Sequence, residues 1–83
     1  MIRIVEMRRL DDFRLFLRFD DGSCGEVDIR RVIPFRGVFA RLADPVQFAR
    51  VTLDEDWGTI RWGEDLDLAP ECLRENLEPW IGA

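Results

Sequence analysis

The chain has 83 residues, enough for one domain, and a chain of this size buries roughly 60–65% of its unfolded surface, too little to enclose a deep substrate cleft. It contains no His, Lys or Tyr, and its only hydroxyls are Ser23, Thr52 and Thr59. That removes the usual general base, the Schiff-base amine and the imidazole metal ligands, and excludes Ser/His/Asp and Cys/His catalysis. The net charge of −5 disfavours unassisted binding to nucleic acid or an anionic membrane. The charge is nevertheless uneven: residues 1–41 hold nine arginines against seven acids, and residues 42–83 hold three against ten.

No apolar run approaches the roughly 18–20 residues that span a bilayer, and Met1 to Glu6 lacks the apolar core and cleavage site of a signal peptide. The expected location is therefore the cytoplasm. Cys24 and Cys72 are too few and too far apart for a disulfide framework or a zinc knuckle, and read as small semi-buried hydrophobes.

In chain order, Ile2 to Arg9 is β-like, with an apolar phase that shifts between Ile4 and Val5 and so predicts a bulge. The turn Leu10-Asp11-Asp12 leads to the clearest element, Phe13 to Phe19. Phe13, Leu15, Leu17 and Phe19 alternate with Arg14, Phe16 and Arg18, which is the period of a strand. Asp20-Asp21-Gly22-Ser23 is a hairpin turn served by its two carboxylates, and Cys24 to Ile29 returns with Val27 and Ile29 inward. The first third is thus a three-stranded meander.

Pro34-Phe35-Arg36-Gly37 is a break. Val38 to Leu42 and Pro45 to Arg50 read as short helical turns, with Asp44 as N-cap and Pro45 at the first helical position. Val51 to Leu53 and Thr59 to Trp62 form a second hairpin about the turn Asp54 to Gly58, placing Val51, Leu53, Ile60 and Trp62 on one face. Glu64, Asp65, Asp67 and Glu71 then crowd an acidic corner, where Asp67 is expected to cap a two-turn helix from Pro70 to Asn76. Leu77 to Ala83 is a tail anchored by Trp80. The expected fold is one α+β domain over residues 1–83: an antiparallel three-stranded meander plus a second hairpin, with short helices packed on one face.

Asp54-Glu55-Asp56-Trp57-Gly58 has the flavour of a calcium loop but carries Thr59 where the turn needs Gly, so a solvated turn is the better reading. No metal and no cofactor is expected. A two-carboxylate glycosidase would need a groove that this chain is too small to supply. The surface singled out is the face bearing Arg14, Phe16 and Arg18, with Phe16 as an apolar anchor between two guanidiniums able to grip an acidic partner. Trp57 at its turn and Trp80 in the tail are the other aromatic candidates for a partner contact.

The ordered set Phe19-x-Asp21-Gly22, Val27-Asp28, Gly37-Val38-Phe39-x-x-Leu42, Asp44-Pro45-x-x-Phe48 and Trp62 followed by Asp67-Leu68-Ala69-Pro70-Glu71-x-Leu73 resembles the small bacterial "domain of unknown function 2442" family. The resemblance spans about residues 4–73 and leaves 74–83 as a C-terminal tail. It implies a short α+β protein, with genes that often sit beside a second small protein, and carries over no catalytic residue. This chain departs from the family pattern after Trp62, where Gly63-Glu64-Asp65 replaces a common Pro-Asn-Gly turn. The expected function is a non-enzymatic protein-interaction module, an antitoxin-like partner of a neighbouring small protein. Self-association through an open strand edge would follow the same logic. The alternatives are a regulatory domain sensing a ligand or metal through its acidic turn, and, more weakly, nucleic-acid binding through the Arg-bearing face.

Overall fold

A computed structural model describes residues 1–80; 81–83 of the expected tail lie outside the described residues. Two antiparallel sheets share one core. The first has strand order β1-β2-β3-β7, from Ile4–Arg9 (β1), Arg14–Phe19 (β2), Cys24–Asp28 (β3) and Glu78–Pro79 (β7). The second has order β4-β5-β6, from Val51–Asp54 (β4), Thr59–Trp62 (β5) and Leu66–Leu68 (β6). Short helices connect them: Ile29–Val32 (α1), a 3-10 helix over Gly37–Ala43, Pro45–Phe48 (α2) and Pro70–Glu75 (α3).

The meander forms as its alternation dictates. Leu15, Leu17 and Phe19 of β2 and Val27 of β3 are buried, and β2 pairs with β3 in the register Arg14 with Asp28 through Arg18 with Cys24. The phase shift in the first strand is a bulge. Ile4 lies opposite Phe19 and Glu6 opposite Arg18, leaving Val5 as the extra residue, so Ile4 faces the core while Glu6 faces outward. Asp12 has a left-handed backbone in the turn before β2, which a short polar side chain tolerates.

The second hairpin pairs Val51 with Trp62 and Leu53 with Ile60, as expected from their common face. Its core partner is an aromatic chain: the rings of Phe35 and Phe13, Phe13 and Phe48, and Phe48 and Trp62 lie 5.2, 5.1 and 5.6 Å apart. The Trp62 indole N–H donates to the Phe48 carbonyl at 3.0 Å, which satisfies the one polar atom of a buried side chain. Leu42, Phe48 and Leu73 bring the 3-10 helix, α2 and α3 onto the same core.

Asp44 caps α2 through Val46 N–H at 2.9 Å, with Pro45 at the start, as its sequence indicates. Asp67 does not cap α3. It is the exposed middle residue of β6, opposite Arg61, while Leu66 and Leu68 on either side are buried; the N-cap position is Ala69, without a side-chain bond. A third strand therefore occupies the acidic corner, because two leucines spaced by two bury themselves only in an extended backbone.

The two sheets are tied at the turn between β4 and β5. Ile4 N–H donates to the Gly58 carbonyl at 2.9 Å, and the Arg3 guanidinium donates to the Glu55 and Asp56 carbonyls. Gly58 has φ +66°, and a Cβ there would strike Arg3, so this close approach needs glycine twice over.

Candidate interaction surface

The outer face of the first sheet carries Glu6, Arg8 and Leu10 from β1 and the turn after it, Arg14, Phe16 and Arg18 from β2, and Glu26 and Asp28 from β3. The sheet period sets this arrangement, but the face differs from an Arg-rich grip. Arg18 and Arg8 both donate to Glu6, at 3.2 and 2.8 Å, and Arg14 reaches Asp11 at 2.8 Å and Glu26 at 3.5 Å. The Glu6 carboxyl is held below its ordinary value, chiefly by the hydrogen bond from Arg18, and Asp11 is held low by Arg14. Arg14 is in turn pushed up by Asp11. Arginine and carboxylate are thus matched on this surface.

Phe16 does not project as a free anchor. It is 4% exposed, because β7 lies along the edge of β3 and sets the Trp80 ring 4.6 Å from the Phe16 ring. Trp80 is fixed at both ends of its residue: its backbone N–H donates to the Cys24 carbonyl and its indole N–H to Glu26, each at 3.0 Å. Gly25 permits this approach, since a Cβ there would meet the Glu78 carbonyl and the Pro79 Cα. Trp80 remains 44% exposed. Glu6, Arg8, Leu10, Phe16, Arg18 and Trp80 line a shallow hollow of about 220 Å³, with the Arg18 guanidinium carbon 5.8 Å from the Phe16 ring centre. The sequence places Phe16 and Arg18 on one face and Trp80 apart from them in the tail, and the fold lays Trp80 onto that face. Past the bulge at Val5, the alternation Glu6, Arg8, Leu10 puts all three on this outer face, although among the charged residues of the first two strands the sequence singles out only arginines.

Trp57 stands apart. Asp54 Oδ1 accepts from the backbone N–H groups of Asp56 and Trp57, building the turn, and the Trp57 side chain is 72% exposed.

The acidic corner is occupied by an ion pair. Arg41 from the 3-10 helix clamps both Asp65 oxygens at 2.9 and 3.1 Å and donates to the Trp62 carbonyl at 3.0 Å. The hydrogen bonding from Arg41 to the carboxylate holds Asp65 below its ordinary value. Among the described residues no three acidic or cysteine side chains converge as a metal site would need. Cys24 is buried and Cys72 half-buried, both as free thiols. Among the described residues, no helix is long and apolar enough to cross a membrane.

A family model described as "Protein of unknown function (DUF2442)" matches residues 4–79. The matched region continues beyond residue 73 through α3 and β7, so the strand that carries Trp80 onto the sheet belongs to the family fold rather than to a separate tail. No curated protein and no solved structure matched the chain.

Proposed function

We propose that this chain, which belongs to the DUF2442 family of proteins of unknown function, is a non-enzymatic protein-interaction module that binds its partner on the outer face of the first sheet. The supporting observation is the Trp80–Phe16 seat: a half-exposed indole packed on a buried phenyl ring, bordered by Leu10 and by the charged groups of Arg8, Arg18 and Glu6. An aromatic centre inside a charged rim is the usual anatomy of a protein-binding hot spot. Because the arginines are matched by carboxylates, the partner that fits is not a polyanion. It is a protein segment that brings an apolar side chain into the hollow and charges of both signs to its rim.

The resemblance of the sequence to small proteins with paired genes makes the product of an adjacent gene the first partner to test, and an antitoxin-like role is the form such a pair would take. Co-expression with that product should give a complex that Trp80→Ala weakens by about thirtyfold or more, the size of a hot-spot loss near 2 kcal/mol. Arg18→Glu should also weaken it, while Trp57→Ala should leave it unchanged. A complex indifferent to both Trp80→Ala and Arg18→Glu, with the variants folded by their melting curves, would remove this face from the proposal.

A further inference from the structure

The four-stranded sheet has two edges, and they are finished differently. The β3 edge is covered by β7, whose Pro79 has no N–H to offer a further strand. Among the described residues, no strand pairs with the β1 edge along its C-terminal half. Leu10 N–H donates to the Arg14 carbonyl, and pairing of β1 with β2 continues through Arg8 with Phe16 and Glu6 with Arg18. In an antiparallel ladder, alternate residues turn their backbone groups to the neighbour, so Met7 and Arg9 turn theirs away from the sheet.

The geometry points to a second copy of this chain as the occupant of that edge, with β1 pairing antiparallel to β1 of the other copy about a two-fold axis at Met7. Three observations select this partner and this register. First, only an even-numbered pairing sum sets outward groups against outward groups. Of the nearest choices, centring on Glu6 opposes two glutamates and centring on Arg8 opposes two arginines. Centring on Met7 sets Glu6 of each copy opposite Arg8 of the other, on the outer face where both project. Second, the same register sets Arg9 opposite Val5 of the other copy. There Arg3, Ile4, Val5, Leu53 and Glu55 line a hollow of about 200 Å³, large enough for an arginine stem along Val5 and Leu53. Third, neither Arg9 nor Glu55 is in any of the ion pairs among the described residues, and this docking brings them together twice. Val5, 53% exposed in the single chain, becomes covered. The product is one continuous eight-stranded sheet.

This edge shares Glu6 and Arg8 with the rim of the Trp80 seat, so its test uses Arg9 and Glu55, which lie outside that seat. The contact is short, so the dimer belongs with the weaker specific interfaces and should dissociate on dilution. Sedimentation velocity of the purified chain should show a monomer–dimer equilibrium. Arg9→Glu and Glu55→Arg, which each oppose like charges twice, should each weaken it by about tenfold or more. Mixing the two variants restores opposite charges at both contacts, and should give a heterodimer of near wild-type affinity while each variant alone stays monomeric. In the wild type, the Met7 and Arg9 amides should exchange more slowly as concentration rises. A wild-type chain that stays monomeric into the millimolar range overturns the inference. So does a dimer that ignores both substitutions, or a mixture that does not pair.

Discussion

A side chain on Gly25 would collide with the backbone of β7, so this position controls whether Trp80 reaches Phe16. Gly25→Ala should lift the C-terminal strand, speed solvent exchange of the Trp80 indole N–H and lower stability by about 1–3 kcal/mol, the range for a forced overlap. The three indole signals of an NMR spectrum separate this from any general loosening, because the Trp62 N–H should stay protected. Equal exchange at Trp80 in the variant and the parent would contradict the role given to Gly25. Trp62→Phe tests the other end of the molecule. It strands the buried Phe48 carbonyl and leaves a void, so denaturant unfolding should show a loss of about 1–3 kcal/mol from the unmet acceptor before the cavity is counted.

Among the elements, the two acids that the sequence marks as helix caps have opposite fates, which makes a sharp comparison. Asp44→Ala removes a bond seen at Val46 N–H and should cost about 1 kcal/mol, a fall of roughly 4–8 °C in melting temperature for a domain of this size. Asp67→Ala removes an exposed strand residue and should stay within about 0.5 kcal/mol of the parent. Thermal melts of the pair decide between a capping and a strand role for Asp67.

The elements that were readable were those with local rules. The alternation from Phe13 to Phe19, the Asp-Gly turn and the Asp44-Pro45 start each carry their conformation within a few residues. Two short strands did not. β6 is three residues with an acid at its centre, and it is extended because Leu66 and Leu68 find a core made largely by residues far away in the chain. β7 exists because Gly25, distant in sequence, leaves room for it. The same limit applied to the candidate surface. Period alone put Arg14, Phe16 and Arg18 on the outer face, but the carboxylates that match the arginines and the indole that covers Phe16 arrive through tertiary contacts.

At the scale of the whole molecule, charge sets the response to pH. With no histidine, the groups that distinguish folded from unfolded chain on the acid side are carboxylates. Glu6, Asp11, Asp21, Asp28 and Asp65 are all held below their ordinary values in the fold: Glu6 chiefly by Arg18, Asp11 by Arg14, Asp21 by Ser23, Asp28 by Arg30 and Asp65 by Arg41. A carboxyl that is more acidic when folded binds fewer protons in the folded state, so acidification favours the unfolded chain. The stabilisation is complete above the ordinary values, 4.5 for Glu6 and 3.8 for the aspartates, and is lost as pH falls through the lower folded values. The net charge of −5 does not reverse this sign: relief of repulsion on protonation would require folded values raised above the ordinary ones, and these five are lowered. The denaturant midpoint should therefore be flat from about pH 7 to about pH 5.5 and fall steadily below about pH 4.5. The pairs are largely exposed and screened by salt, so the acid decline should be shallower at high ionic strength. A midpoint that rises on acidification through the same range would mean that repulsion among the ten acids beyond Arg41, rather than the Arg-matched carboxylates, governs the fold.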